Sequence, residues 1–152
     1  MPAPARRRFI YALASLPAVL LATRAARAQG DDPFAALVRE ATGGAPVWPG
    51  RVKLEIPLLA DNGYSVPLKV SVESPMSAAD RVRTIIVLSE KNPRPVIAKF
   101  HFGPAAGRAE VVTRIRLNGA QRVMVLAQVS DGSFWSGSAE VVVTESACLD
   151  GS

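Results

Sequence analysis

Tyr64-Ser65-Val66-Pro67-Leu68-Lys69-Val70-Ser71-Val72 alternates large apolar residues with small or polar ones, so that Tyr64, Val66, Leu68, Val70 and Val72 share one face of an extended chain. A helix would scatter these five around its circumference; a half-buried strand lines them up. Toward the amino terminus, Leu54, Ile56 and Leu58 alternate with Lys53, Glu55 and Pro57, and Asp61-Asn62-Gly63 between the two runs is a turn signal. Toward the carboxyl terminus, Ser74-Pro75-Met76 breaks the pattern. Further candidate strands run from Val82 to Leu88, Val96 to Phe102, Val111 to Leu117, Val123 to Val129 and Phe134 to Thr144. They are punctuated by Lys91-Asn92-Pro93-Arg94-Pro95, Gly103-Pro104, Asn118-Gly119 and Ser130-Asp131-Gly132. Pro57 and Pro67 lack the amide donor of a central strand, which places their segments at sheet edges or bulges.

About seven short strands with turn signals every ten residues or so, and no room for crossover helices, predict an all-β fold: an immunoglobulin-like antiparallel β-sandwich. The Cys-Trp-Cys core of antibody domains is absent, so only the architecture is inferred. Upstream, Asp32-Pro33 followed by Phe34 to Thr42 and Gly43 predicts one short N-terminal helix: Asp32 as cap, proline in the first turn, glycine at the left-handed stop. Phe34, Leu37, Val38 and Ala41 fall on one helical face, to be packed on the domain or on a partner. Gly44 to Gly50, with prolines around Trp48, reads as a linker. The resulting division is a signal segment over 1–28, helix and linker over 29–50, the sandwich over 51–145, and a flexible C-terminal cysteine arm over 146–152.

The signal segment is defined by Arg6-Arg7-Arg8-Phe9-Ile10, the apolar run Tyr11 to Ala22, and Ala26-Arg27-Ala28 before Gln29. A basic region, a short apolar run and a small-x-small site predict export with cleavage, and the run is too short to span a bilayer. The order Arg-Arg-x-Phe-Ile resembles a twin-arginine signal, which predicts a periplasmic location for an already folded domain and no membrane insertion after cleavage. Cleavage removes five arginines and no acid, so the 18 basic and 13 acidic residues of the whole chain become 13 and 13. The neutral mature chain argues against nucleic-acid binding, which needs a basic surface to neutralise phosphates.

The chemistry-bearing residues are few. His101 is the single histidine, placed mid-strand between Phe100 and Phe102; with one cysteine it makes no zinc site and no metal is expected. No phosphate loop, dinucleotide fingerprint or nucleophile elbow occurs, and no cofactor or catalytic residue is expected. Cys148, in Ser146-Ala147-Cys148-Leu149-Asp150-Gly151-Ser152, has no disulfide partner in the chain and stands a few residues from the end. Glu145, Asp150 and the terminal carboxylate disfavour its thiolate, which fits a covalent attachment point better than an enzyme's own nucleophile. An odd cysteine in an exported protein implies a free functional thiol or an intermolecular bond.

Asp61-Asn62-Gly63 with Val66-Pro67, Ser74-Pro75-Met76, Lys91-Asn92-Pro93-x-Pro95, Arg114-Ile115-Arg116-Leu117 and Ser130-Asp131-Gly132-Ser133-Phe134-Trp135 together resemble, in order, the SoxY subunit of the SoxYZ carrier of bacterial sulfur oxidation. The resemblance covers nearly all of residues 34–148. It implies an immunoglobulin-like domain, a SoxZ-like partner in a heterodimer, and a carboxy-terminal arm whose cysteine, here Cys148, holds thiosulfate-derived sulfur while sulfur-oxidation enzymes act on it. The protein would then be a carrier and not an enzyme. Where SoxY proper ends in Gly-Gly-Cys-Gly-Gly, this tail is closer to SoxY-related proteins whose arm reads Ala-Ala-Cys-Ile-Glu, with Leu149-Asp150 in place of isoleucine-glutamate. Two other readings of the residues stay open: a non-covalent binding or assembly module, and a redox thiol forming a mixed disulfide through Cys148.

Overall fold

The chain runs α1 (Pro33–Thr42), β1 (Val47–Pro49), β2 (Val52–Glu55), β3 (Leu59–Asn62), β4 (Val66–Val72), β5 (Val82–Ser89), β6 (Val96–His101), β7 (Ala109–Ile115), β8 (Gln121–Val129) and β9 (Phe134–Glu145). This is a computed structural model, and it describes residues 33–145. The strands form two sheets, one in the order β1-β9-β8-β5-β6 with β3 also paired to β9, the other in the order β2-β4-β7. Val66 to Val72 of the opening stretch form β4, the central strand of the smaller sheet, and the alternation becomes burial: Val66, Leu68, Val70 and Val72 are all buried, whereas Tyr64, aligned with them by the pattern, lies in the bend before the strand and is 51% exposed. They meet Val82, Ile85, Val87, Val123, Val125, Ala127, Val141 and Val143 from the larger sheet, closing the inter-sheet core of a β-sandwich.

At its centre, in β5 and β8, the larger sheet is buried on both faces, which explains why β5 reads as an unbroken run, Ile85-Ile86-Val87-Leu88, and not as an alternation. Ile85 and Val87 face the inter-sheet core; Ile86 and Leu88 face the other way, with Leu126 and Phe134, toward α1. Onto that outer face α1 lays Phe34, Leu37, Val38 and Ala41, the stripe expected from its sequence. Phe34 is 3% exposed and lies 4.5 Å under the Arg122 guanidinium. Burying that ring contributes about 2 kcal/mol, so the helix is an integral layer of the domain. Gly43 ends it in the left-handed conformation, φ +64°. Asp32, the expected cap, lies outside the described residues.

Every predicted strand has a counterpart, and the architecture is the expected one, with three local corrections. The segment Gly44 to Gly50, read as a linker, contains β1, which pairs in parallel with the start of β9 (Val47 opposite Phe134). Asp61-Asn62, read as a turn, belongs to β3, which pairs in parallel with the end of β9 (Leu59 opposite Val142, Asn62 opposite Glu145). The bend falls just after it, where the Tyr64 amide donates to the Asn62 side chain at 3.2 Å. Local pattern cannot tell a short parallel edge from a loop, because its partner lies 80-odd residues away. Thirdly, Pro67 sits in a central strand. It is tolerated because the β2 ladder stops at Glu55 opposite Lys69, so β2 offers Pro67 no acceptor to miss. Pro57 falls between β2 and β3, outside any strand.

Candidate functional site

The arm that carries Cys148 continues from β9, so the site is built by whatever fixes the end of that strand. β9 is the longest strand described, 12 residues, and is interior: β8 pairs along one side, β1 and β3 along the other. Its last residues are tied to the β3–β4 bend. The Gly63 amide donates to the Glu145 carbonyl at 2.7 Å, the Leu117 amide to the Gly63 carbonyl at 2.8 Å, and the Thr144 hydroxyl to the Asp61 carbonyl. Strand, bend and the residues just after β7 thus form one hydrogen-bonded unit around Glu145, the last residue described. Cys148 itself lies outside the described residues.

The same end of the sandwich carries the β5–β6 and β7–β8 loops, and Asn92 joins them. Its amide donates to the Arg116 carbonyl at 2.8 Å, while its side-chain oxygen accepts from the Asn118 amide and from Gln121 Nε2, each at 2.9 Å. Gln121, 3% exposed, returns an acceptor to the Lys91 amide at 2.8 Å. A buried carboxamide needs such partners, and two carboxamides supply complementary donors and acceptors here. Arg114 reaches from β7 to the Ser65 carbonyl and hydroxyl at 3.3 and 3.2 Å. The motifs Lys91-Asn92-Pro93-x-Pro95 and Arg114-Ile115-Arg116-Leu117 are therefore parts of one brace beside the arm.

The remaining motifs brace the opposite end. Arg51 pairs with both Asp80 carboxylate oxygens at 2.9 and 2.8 Å and donates to the Glu73 carbonyl at 2.8 Å. Ser74 holds the Met76 amide at 3.1 Å, with Met76 in the left-handed region (φ 52°). In Ser130-Asp131-Gly132-Ser133-Phe134-Trp135, the Asp131 carboxylate accepts from the Ser133 amide at 2.8 Å around Gly132 (φ +87°). Hydrogen bonds from the Ser133 hydroxyl and amide hold the Asp131 carboxyl below its usual range. Phe134 is buried under α1 and Trp135 packs on the inter-sheet core, as packing residues.

His101 is an exposed residue of β6, its Nδ1 3.2 Å from the Thr84 hydroxyl. Among the described residues, no group of three or more His, Cys, Asp or Glu side chains is placed to hold a metal ion, and no helix is long and apolar enough to cross a membrane. One feature of the arm end escapes the sequence pattern. Leu58, Leu59 and Val142 are 68, 62 and 53% exposed and adjoin one another, with the Val142 amide donating to the Leu58 carbonyl at 2.8 Å. The signal for them was the doubled Leu58-Leu59 and the unbroken Val141-Val142-Val143, which interrupt the alternation.

A sandwich of two sheets with a helix on one face and its last strand paired on both sides belongs to the class of immunoglobulin-like β-sandwich domains. The sulfur oxidation protein SoxY family matches residues 38–148, a span that ends on that cysteine, and the chain belongs to this family. Among solved structures, it is similar to the sulfur carrier protein SoxY from Chlorobium limicola f. thiosulfatophilum, at 24% identity and TM-score 0.61, over 73% of this chain and 96% of that one. It is also similar to a variant of the superoxide reductase (neelaredoxin) from Ignicoccus hospitalis, at 17% identity and TM-score 0.57, over 64% of this chain and 94% of that one. At these identities both likenesses are of fold. Among curated proteins, none matches the chain.

Proposed function

We propose that the protein is an exported, periplasmic sulfur carrier that holds a sulfur intermediate covalently on Cys148 for partner enzymes, in complex with a SoxZ-like subunit. The observation that carries this reading is the family match running through residue 148, on a chain whose β9 ends three residues earlier at Glu145. A carrier needs a thiol at the tip of a short tether on a rigid base. The pairing of β9 on both sides supplies the base. The twin-arginine signal supports delivery to the periplasm as a folded domain.

Loading with thiosulfate would join the cysteine sulfur to the terminal sulfur of thiosulfate. The thiol proton leaves, and the new sulfur-sulfur bond releases two electrons that a partner oxidoreductase must accept. The carrier's own part is to expose the thiol, present it at a fixed distance and keep the adduct attached between partners. Intact-mass spectrometry of the protein purified from its host tests this. Discrete sulfur or sulfonate adducts on Cys148 support the carrier; a persistently unmodified thiol favours a non-covalent assembly module, and a linked polypeptide a redox thiol.

A further inference from the structure

We propose that β7 is a dimerisation edge: two copies of this chain pair antiparallel about a two-fold axis at Val112, so that the two smaller sheets continue into one six-stranded sheet. Among the described residues no strand lies beyond β7, which runs for seven residues without proline or glycine and pairs with β4 at every position from Ala109 to Ile115. Proline, a bulge or brevity ordinarily blunts an open edge, and β7 has none of these. The phase of its hydrogen bonds follows from β4. The Glu73 amide donates to the Arg51 carbonyl at 2.8 Å, so Ser71, Lys69 and Pro67 turn toward the β2 side, and Val70, Leu68 and Val66 toward β7. The register partners of that second set, Val111, Thr113 and Ile115, direct their amides and carbonyls to β4. Glu110, Val112 and Arg114 therefore direct theirs to the open side.

The side chains on that edge are complementary to themselves. Val112 is 73% exposed, the most exposed large apolar side chain among the described residues, and the outward residues on either side of it are Glu110 and Arg114. Antiparallel pairing centred on Val112 sets the two Val112 side chains opposite each other and each Glu110 opposite the other copy's Arg114, about 5 Å apart at Cβ. The outward amides and carbonyls of all three residues then fall in bonding positions. Both Ser65 contacts of Arg114 use Nη1, so Nη2 remains to meet the facing carboxylate, which Lys69 flanks at 3.6 Å. No other edge combines this length and symmetry. β6 carries Lys99 and His101 and no acid, so it offers a copy of itself no charge pair, and β1, β2 and β3 are only three or four residues long. Seven residues of edge make a small interface, at the weak and reversible end of the range. The two-fold axis sends the two β9 termini to opposite ends of the joined sheet, so each Glu145 stands clear of the other. The dimer does not depend on the carrier reading.

Sedimentation equilibrium of the mature chain, residues 29–152, with a reductant present and from about 20 µM to about 1 mM protein, tests the edge. A monomer–dimer equilibrium with Kd on the order of 100 µM is expected. Val112→Lys, at an exposed position, should weaken it about ten-fold and leave Tm unchanged. Glu110→Arg and Arg114→Glu should each weaken it alone, by setting like charges across the axis. An equal mixture of those two variants should dimerise again, because each chain then faces the opposite charge. A chain that stays monomeric at the highest concentration, a dimer that Val112→Lys leaves unweakened, or a mixture that does not dimerise overturns the proposal. So does a SoxZ-like subunit whose binding Val112→Lys abolishes, which would assign the edge to that subunit. Absence of sulfur adducts from an intact dimer would refute the carrier reading alone.

Discussion

Asn92→Ala is the substitution that most directly tests the brace beside the arm. Truncation removes three hydrogen bonds at once, to the Arg116 carbonyl, the Asn118 amide and Gln121 Nε2, at 2.8, 2.9 and 2.9 Å. Gln121 is 3% exposed, so its freed amide has little access to water. At about 1 kcal/mol per bond the loss is roughly 3 kcal/mol, which for a domain of this size lowers Tm by about 8 to 12 °C. Asn92→Asp is the informative companion. Its carboxylate still accepts from Asn118 and Gln121 but cannot donate to Arg116, so it should fall between wild type and alanine. Thermal unfolding of the mature chain followed by circular dichroism reads both. If Asn92→Ala melts within a degree or two of wild type, or Asn92→Asp melts below it, the loops are held by apolar packing and the hydrogen-bond argument fails.

Gly137→Ala should destabilise by about 1–3 kcal/mol in urea unfolding, because a Cβ there would stand 2.8 Å from the Val52 carbonyl oxygen, a backbone atom that moves only with β2; an unchanged midpoint would show β2 to be loosely held. Cys148→Ser should leave Tm nearly unchanged and abolish covalent sulfur loading, since a serine hydroxyl forms no sulfur-sulfur bond; unfolding of the domain, or adducts surviving by mass spectrometry, would contradict the carrier reading. Asp131 has its folded-state carboxyl lowered by Ser133, so its stabilisation is present above the ordinary aspartate value and is lost as pH falls through the lowered one. Asp131→Asn, whose side-chain oxygen can still accept from the Ser133 amide, should reduce the loss of stability on acidification in that window, as measured by urea midpoints against pH.

How much of this was legible beforehand differs between the fold and the site. Val66 to Val72 specified a strand and its buried face, because a period of two has one structural meaning wherever one side of a sheet is covered. The helix was equally readable from Phe34, Leu37, Val38 and Ala41 and from the glycine that ends it. Cys148 stands out by being the chain's one cysteine, and the ordered motifs point to the family without any contact between them being known. What those motifs do was not legible. Asn92 looked like turn punctuation, and its three partners lie 24 to 29 residues away in sequence. Nor could sequence place β1 and β3 on the free side of β9, since parallel pairing leaves no local turn. The patch of Leu58, Leu59 and Val142 exists only because β3 is brought against β9. The sequence determined which faces are apolar and which residue carries the thiol, both properties of near neighbours along the chain. Tertiary structure alone decided what is paired with what at the end from which the arm departs, because hydrogen bonds and apolar contacts between distant segments leave no periodic trace in the chain that makes them.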